Sequence, residues 1–395
     1  MANLDQLPDN PFVRLHALLA GVTPQMPVID LGIGEPRHPV PHFVIEELKR
    51  NPELYGRYPP TDGTPEFRLA CANWLTRRFD LPSAFVDSER HIVPVNGTRE
   101  ALFLAAFLAK AKKNPAVLIP NPFYQAYAAA AIGIDAEPVY VPATPENNHL
   151  PDFAGLSPDL LSRTVILYIC SPVNPQGTVA DIGYWRKLIA LARKHDFLIF
   201  ADECYADIYD RAAPTGILEA AAETGSLENI MSFHSLSKRS SLPGLRSGFA
   251  VGAGQLMINF KKLRLYGGSP SPLPVLGAAA AAWSEDTHAE TNRSLYRAKL
   301  DAAERIFSNR LGFYRPPGGF FLWLDVGERG LNAEGATRRL YERGGVRVVP
   351  GSYLSRAAPD SSGKLVDPGE NYIRLALVHD LATTLEALTR VNQFL

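Results

Sequence analysis

Apolar runs alternate with helical patterns along the middle of the chain. Residues 99–112 and 181–195 have helical patterns. The apolar runs lack polar alternation, as strands buried on both faces do. They are PAVLIP (115–120), EPVYVP (137–142), TVILYIC (164–170), FLIFADE (197–203), IMSFHS (230–235) and GFAVGA (248–253). The pattern predicts an α/β fold with a mostly parallel, helix-covered sheet, in which ligands bind beyond the carboxyl ends of the strands.

The pattern changes after Trp283. A long charged helical stretch is followed by the apolar runs FFLWLDV, VRVVPG and NYIRLAL, which helical or loop segments separate. We expect residues 36–284 to form a large domain, and residues 1–35 and 285–395 to form a smaller α+β domain. The length of 395 residues exceeds what one core usually supports, which agrees with two domains.

Composition and charge narrow the class of protein. Lys+Arg of 40 against Asp+Glu of 41 gives a net charge of -1, which argues against nucleic acid or a membrane surface as partner. The scattered Cys71, Cys170 and Cys204 indicate neither a disulfide framework nor a metal site. The N-terminal MANLDQLPDNP lacks the features of a signal peptide, and the longest apolar run, 101–109, is too short to cross a bilayer. We therefore predict a cytoplasmic protein.

Polar residues follow three of the predicted strands. Asn174 of SPVNPQG follows one strand, Asp202 and Tyr205 follow the next, and Ser235 and Lys238 follow the third. Taken singly, an Asp after a strand is often a helix cap and Asn-Pro is often a turn. Because parallel strands end at one edge of the sheet, we expect the three sets to converge there.

The stretch HSLSKRSSLPGLRSG (234–248), together with SPVNPQG and ADECY, resembles the fold-type I, pyridoxal-phosphate-dependent aminotransferases related to aspartate aminotransferase. The likeness covers nearly the full length. An NGT turn, an aromatic after Asn-Pro, Asp-x-x-Tyr, Ser-x-x-Lys, an arginine eight residues after the lysine and a late arginine in YIRLA stand in the same order. The resemblance implies this fold type, pyridoxal 5′-phosphate as the cofactor, and small amino acids and keto acids as substrates.

The resemblance also implies roles around the cofactor ring. Lys238 would bond to the cofactor aldehyde and move a proton at the substrate, which requires a lowered lysine pKa. Asp202 would hold a proton on the ring nitrogen. Tyr205 and Asn174 would donate to the phenolic oxygen, and Tyr124 would stack on the ring. The competing interpretations are a surface lysine and tyrosines that only pack in the core.

Two segments would hold the cofactor phosphate. Ser235 offers a hydroxyl and Arg246 a bidentate guanidinium. Gly97, Thr98 and Arg99 of VNGTREALF stand at a predicted helix start, where free backbone N–H groups favour an anion. The alternative is that NGT is only a turn that begins a helix.

Further residues would hold the substrate and a second subunit. The family pattern assigns Arg374, with Asn174, to the substrate α-carboxylate; a structural salt bridge is the alternative. Gly34 of IGEP would close over the substrate. Tyr58 would reach the neighbour's phosphate, and Arg264, from its offset to Pro270, a distal carboxylate across the dimer; a solvated helix arginine is the alternative. These roles imply a homodimer with shared active sites.

Longer stretches favour one branch of the family. PFVRLHALLAGV, RYPPTDG, VPVNGTREALF, PNPFYQAY and FHSLSKRSSLPGLRSGF look most like the proteobacterial N-succinyl-diaminopimelate aminotransferases of lysine biosynthesis. This implies amino transfer between glutamate/2-oxoglutarate and N-succinyl-LL-2,6-diaminopimelate/N-succinyl-2-amino-6-ketopimelate. An aspartate or other amino-acid aminotransferase is the first alternative. A pyridoxal-phosphate-dependent C–S lyase is an alternative of another class, because one fold hosts several chemistries.

Overall fold

The computed structural model describes residues 5 and 7, residues 9–360 and residues 363–395. Parts of the predicted N-terminal segment, residues 1–4, 6 and 8, lie outside the described residues. The α-helices of the described part are α1 (Pro11–Leu19), α2 (His42–Arg50), α3 (Pro65–Phe79), α4 (Ser88–His91), α5 (Thr98–Ala105), α6 (Gln125–Gly133), α7 (Pro158–Arg163), α8 (Ile182–His195), α9 (Ile217–Glu223), α10 (Leu236–Arg239), α11 (Gly254–Gly267), α12 (Leu273–Ser284), α13 (Thr287–Phe307), α14 (Ala333–Gly344) and α15 (Leu381–Phe394). Within these described ranges, no helix has both the length and the apolar character needed to cross a bilayer.

Short 3-10 turns and strands connect these helices. The 3-10 turns are Pro52–Gly56, Ala106–Leu108, Pro145–Asn147, Pro243–Leu245, Gly327–Arg329 and Gly351–Tyr353. The strands are β1 (Ile29–Asp30), β2 (Ile92–Val95), β3 (Ala116–Asn121), β4 (Glu137–Pro142), β5 (Thr164–Cys170), β6 (Leu198–Asp202), β7 (Ile230–Ser235), β8 (Gly248–Gly252), β9 (Phe321–Asp325), β10 (Val346–Arg347), β11 (Val349–Pro350), β12 (Ala358–Pro359), β13 (Leu365–Val366) and β14 (Tyr372–Ala376).

A seven-stranded sheet with the order β2-β8-β7-β6-β5-β3-β4 forms the centre of the larger part. Strands β3 to β7 run parallel to their neighbours among themselves, whereas β8 is antiparallel to both β2 and β7. Successive residues of β5 enter different apolar layers, since Leu167 packs in one buried cluster and Ile166 in the other. Burial on both faces explains why the strands read as unbroken apolar runs. The predicted mostly parallel, helix-covered sheet is confirmed.

A second, smaller sheet has the order β11-β14-β9 and is antiparallel. The N-terminal β1 pairs in parallel with β10, and Ile29 packs in the same buried cluster as Val346 and Ile373. The run VRVVPG, which reads as one apolar run, is divided between β10 and β11. The two halves pair with different strands, so the ladder is interrupted at Val348. The domain boundaries at residues 35 and 284 stay predictions.

The predicted helix 99–112 is wrong in its second half. α5 ends at Ala105, a 3-10 turn ends at Leu108, and β3 begins at Ala116. Lys112 lies beyond the turn, where its Nζ donates to three main-chain carbonyls, those of Ser162, Thr164 and His195. The charged residues that looked like the end of an amphipathic helix therefore belong to a connecting segment.

Candidate active site

A cavity of about 460 Å³ lies beyond the carboxyl ends of β5, β6 and β7. This is the edge at which the polar residues after the strands were expected to converge. The predicted site residues that line the cavity are Gly34, Thr98, Arg99, Tyr124, Asn174, Asp202, Tyr205, Ser235, Lys238, Arg246 and Arg374. Gly97, Tyr58 and Arg264 are not part of its wall.

Lys238 lies on α10, a single helical turn directly after β7. The Oγ of Ser235 accepts from the backbone N–H of Ser237 at 3.1 Å and caps this turn. The Nζ of Lys238 donates to the carbonyl oxygen of Gly34 at 2.5 Å. Within the described residues it forms no ion pair, and burial lowers the pKa of Lys238 to about 8. The amine therefore gives up a proton more readily than an exposed lysine does.

Asp202 ends β6 and is almost fully buried. Its Oδ2 accepts from the hydroxyl of Tyr127 at 2.8 Å. Burial raises the pKa of Asp202, and no cationic side chain of the described segments lies within ion-pair distance of it. A cationic N–H donor in the cavity would favour the charged form of this carboxyl group. Tyr127 was missed from the sequence, although it follows Tyr124 by three residues in NPFYQAY.

Tyr124 and Arg99 form one side of the cavity. The hydroxyl of Tyr124 accepts from Nε of Arg99 at 2.5 Å, and the rings of Tyr124 and Tyr127 meet edge to face at 5.6 Å. On another side, the ring centroids of Tyr205 and Phe320 lie 5.9 and 5.5 Å from Nζ of Lys238. The amine is thus placed among aromatic rings, which suit a flat aromatic ligand.

The end of the cavity near α5 has the features of an anion site. The guanidinium of Arg246 donates to the carbonyl oxygens of Asn96 and Pro243, each at 3.0 Å. Gly97 has φ +85°, and a Cβ at this position would lie 2.3 Å from Nη2 of Arg246. Thr98 begins α5, whose first N–H groups have no partner within the helix. Glycine at 97 therefore leaves the room that Arg246 occupies.

Arg374 lies on β14 opposite the amine and is only 5% exposed. Its Nη1 donates to Oδ1 of Asn174 at 3.1 Å and its Nη2 to the carbonyl oxygen of Gly32 at 2.7 Å, while Nε is buried without a partner. Burial lowers the pKa of Arg374 to about 10. No carboxylate among the residues with described positions pairs with it, which argues against a structural salt bridge. The site thus holds a buried guanidinium without a carboxylate partner among the described residues, which suits an anionic ligand.

Gly34 lies next to both the Lys238 amine and the ring of Phe321 on β9 of the small sheet. A Cβ on Gly34 would lie 2.8 Å from the ring of Phe321, so the loop can approach this closely only with glycine. Its carbonyl oxygen is the acceptor for Lys238. Gly34 is therefore a direct contact of the amine.

Arg264 is engaged within its own chain. Its side chain is buried, forms an ion pair with Glu100, and donates to the carbonyl oxygen of Ser269 at 3.2 Å. Contact with a distal carboxylate across a dimer would require this ion pair to break, and that role stays a prediction. Tyr58, in contrast, is fully exposed. Its role at a neighbouring subunit stays a prediction.

The donors of the cavity fit pyridoxal 5′-phosphate. Ser235, Arg246 and the start of α5 can hold the phosphate, Asp202 can hold the ring N–H, and Lys238 lies between them. A bound cofactor would explain the space that Gly97 leaves for Arg246. An anionic substrate would explain the buried Nε of Arg374 that has no partner.

Comparison with known proteins gives three findings. The profile of the family "Aminotransferase class I and II" matches residues 26–391. An LL-diaminopimelate aminotransferase of Dehalococcoides mccartyi is 31% identical over 381 residues, which are 95% of this chain and 93% of the relative. The crystal structure of an aminotransferase from Neisseria meningitidis is 38% identical with a TM-score of 0.91, and 98% of each chain is covered.

A solved structure named for the N-succinyl branch is less similar to this chain. A structure described as a probable N-succinyldiaminopimelate aminotransferase from Thermus thermophilus is 24% identical with a TM-score of 0.84, covering 98% of this chain and all of that one. At this identity the likeness shows a shared fold and no more.

Proposed function

The chain belongs to the aminotransferase class I and II family, whose cofactor is pyridoxal 5′-phosphate, and from this premise we propose that it transfers an amino group between glutamate/2-oxoglutarate and a substrate with the diaminopimelate skeleton. The observation that carries amino transfer is the buried Arg374, which has no carboxylate partner in the described structure and faces the same cavity as Lys238. The diaminopimelate skeleton is inferred from the relatives and from the sequence stretches. An α-amino acid offers a carboxylate for the Arg374 guanidinium and an amine that reacts at the site of Lys238.

When bound, the cofactor takes up the amino group and stabilises negative charge at the substrate Cα. Lys238 would hold the cofactor and would then move the proton at the substrate Cα. The lowered pKa of Lys238, about 8, leaves an appreciable neutral fraction for this task near neutral pH. Asp202 would hold the ring N–H, and Tyr127 orients the carboxylate of Asp202 through its hydroxyl.

The remaining contacts orient the reacting groups. Arg374 binds the substrate α-carboxylate with a fork of N–H groups, and Asn174 fixes that fork through its Oδ1. Tyr205, buried beside the amine, is placed to donate from its hydroxyl to the phenolic oxygen of the cofactor. Fixing both ends of the substrate determines which bond at Cα faces the ring, and orientation of this kind is a large part of catalysis.

Two forms of the diaminopimelate skeleton are candidates. The sequence stretches favour the N-succinylated substrate, whose distal end carries carboxylates and no ammonium group. The name of the curated relatives favours free LL-diaminopimelate, whose distal end is an amino acid with both charges. The exposed side chains of Arg99 and Glu35 both line the cavity. They offer one positive and one negative partner for the distal end of the substrate.

The test compares amino donors to 2-oxoglutarate on the purified, cofactor-loaded protein. N-succinyl-LL-2,6-diaminopimelate, LL-diaminopimelate and aspartate are supplied in turn, and glutamate formation gives kcat/KM for each. We expect the N-succinylated donor to be preferred. A preference for free LL-diaminopimelate selects the second candidate, and a preference for aspartate removes the diaminopimelate assignment. Pyruvate and ammonia from cysteine-type substrates without a keto acid would indicate a lyase instead.

The proposal includes a homodimer with shared sites. Large apolar side chains that are well exposed in the single chain include Tyr58, Tyr55, Leu265 and Tyr266. We propose that these side chains belong to the dimer interface, because an interface covers apolar side chains of this size. The family pattern places Tyr58 at the phosphate site of the second copy.

A further inference from the structure

Three buried polar side chains form a continuous row of hydrogen bonds behind the cavity. Nζ of Lys299 lies 2.8 Å from Nε2 of His38, Nδ1 of His38 lies 3.2 Å from Oδ1 of Asn292, and Nδ2 of Asn292 donates to the carbonyl oxygen of Arg239 at 3.1 Å. His38, Asn292 and Lys299 are 9%, 6% and 2% exposed. They are not among the residues that line the cavity, so they do not touch its ligands.

The chemistry of the groups fixes the direction of this row. An ammonium group only donates, so Nε2 of His38 accepts from Lys299 and the ring proton is on Nδ1. That proton is donated to Oδ1 of Asn292, which leaves Nδ2 of Asn292 to donate to Arg239. His38 must be neutral for this, and burial together with the charge of Lys299 lowers its pKa to about 4.

Two charged groups act on the row from nearby, Lys299 itself on His38 and Asp380 on Lys299. Burial lowers the pKa of Lys299 to about 8, and the charge of Asp380 acts in the opposite direction. In the ranges that the structure describes, Lys299 has no carboxylate within ion-pair distance; its second acceptor is the carbonyl oxygen of Leu377 at 3.0 Å. The ring of Tyr296 packs on His38 at 4.5 Å between centroids.

The row is attached to three parts of the active site. Leu377 follows Arg374 by three residues, and His38 follows Gly34, the acceptor of the Lys238 amine, by four. Arg239 directly follows Lys238. One set of hydrogen bonds thus connects the strand of the guanidinium, the glycine loop and the helical turn of the amine.

We propose that Lys299, His38 and Asn292 are positioning residues that hold the Lys238 amine in place relative to the Arg374 guanidinium. Apolar side chains of similar volume can replace buried polar groups without loss of stability, so stability alone does not require this arrangement. A fully satisfied network fixes one geometry, and removal of any member leaves its neighbours unpaired. The proposal rests on the proposed role of Lys238 at the cofactor.

The test uses the holoenzyme and the absorption band that the bond between Lys238 and the cofactor produces. The pH midpoint of this band is measured in wild type, Lys299→Met, Asn292→Leu and the double variant. We expect each single change to move the midpoint by at least about half a pH unit, the scale of couplings within one hydrogen-bond network. The double variant should move the midpoint by clearly less than the sum of the two single shifts, although the side chains of Lys299 and Asn292 do not touch. When the same two changes are made in a His38→Phe protein, their shifts should add, because the ring that links the two side chains is gone.

Lys112→Met is the matched control. Its Nζ also donates to main-chain carbonyls and it lies away from the cavity wall, so it should lower Tm without moving the midpoint. If Lys299→Met does not fold, the uncharged Asn292→Leu, which removes the donor to the Arg239 carbonyl oxygen, should still move the midpoint.

Three results would overturn the proposal. Midpoints that stay fixed while Tm falls, as in the control, would mean that the row only stabilises the fold. Additive shifts would mean that the residues act independently. A wild-type holoenzyme without the band would refute the role of Lys238 itself, whereas a normal band with fixed midpoints refutes the positioning role alone.

Discussion

Lys238 and Arg374 donate hydrogen bonds to carbonyl oxygens that are only two residues apart in the chain. The amine reaches Gly34 at 2.5 Å and Nη2 of the guanidinium reaches Gly32 at 2.7 Å. One short loop therefore supplies an acceptor to each of the two side chains. An amino acid bound between them meets both groups at once, which is the arrangement that amino transfer requires.

The role of Lys238 is tested by Lys238→Ala. The variant should still bind pyridoxal 5′-phosphate, because the phosphate and ring contacts remain, but should lack the lysine-dependent absorption band. Amino transfer should fall by about a hundredfold to ten-thousandfold, the range for loss of a positioned acid–base group. Lys110→Ala is the control, since this exposed lysine pairs with Asp196. Persistence of the band in Lys238→Ala would remove Lys238 from its role.

Arg374→Lys tests the carboxylate contact while it keeps a positive charge. Lysine cannot reproduce the fork, so kcat/KM for glutamate should fall by at least about tenfold, equivalent to about 1.4 kcal/mol, with unchanged cofactor affinity. Arg390→Lys is the matched control, because Arg390 is also buried with a partnerless Nε but contacts Pro27 and Gly344. Equal losses in both variants would mean that Arg374 only supports the fold.

Gly97→Ala should weaken cofactor binding through Arg246. The new Cβ would lie 2.3 Å from Nη2 of Arg246 and displace the guanidinium from the phosphate end. Gly330→Ala separates this clash from backbone strain, since Gly330 has φ +67° and nothing within 4 Å of an added Cβ. Gly330→Ala should lose about 1–2 kcal/mol of stability from its left-handed backbone, and Gly97→Ala should lose more, because φ +85° with ψ 156° is a conformation that essentially only glycine adopts. A rise in the cofactor Kd of about tenfold or more is expected only for Gly97→Ala, and equal Kd values would contradict the account.

The buried Lys238 predicts a pH dependence of stability in the apoenzyme. Its pKa is lowered from 10.5 to about 8 in the folded chain, with burial as the largest cause. Between these values the unfolded chain binds more protons than the folded one, so this group makes unfolding free energy rise with pH. Urea unfolding from pH 7.5 to 10.5 should show a slope smaller in Lys238→Met than in wild type, by up to about 1.4 kcal/mol per pH unit. Equal slopes would show that the folded-state pKa is not lowered.

Hybrid dimers test the predicted reach of Tyr58 into a neighbouring site. Tyr58→Ala and Lys238→Ala homodimers should each be nearly inactive. After mixing and subunit exchange, each mixed dimer has one site with both native residues, so activity should return to about a quarter of wild type. No recovery, with exchange verified by mass, would place Tyr58 outside the shared site.

The core of the large sheet could be predicted from the sequence because its strands are buried on both faces. The six runs beginning at residues 115, 137, 164, 197, 230 and 248 all contain observed strands. β2 was not among them, since its four residues form an edge strand next to β8 and include Pro94. The change of partner between β10 and β11 could not be predicted either, because strand pairing depends on contacts distant in the chain.

The candidate site was predictable where its residues directly follow buried strands. Asn174, Asp202 and Lys238 do so, and the structure brings them to one cavity. Tyr127 was not found, because a tyrosine in an alanine-rich helix reads as a core residue until its hydroxyl is seen at Asp202. Arg264 was assigned from an offset, which states a position in the chain and not the direction of the side chain. Its ion pair with Glu100 is visible only in three dimensions.

The most direct test of aminotransferase chemistry is a half-reaction with glutamate alone. The holoenzyme, free of keto acid, is mixed with excess glutamate, and released 2-oxoglutarate is counted per subunit. We predict one equivalent of 2-oxoglutarate per subunit and no ammonia, with the amino group retained until a keto acid is added. Absence of this burst in the holoenzyme, or continuous release of ammonia without an acceptor, would contradict the account.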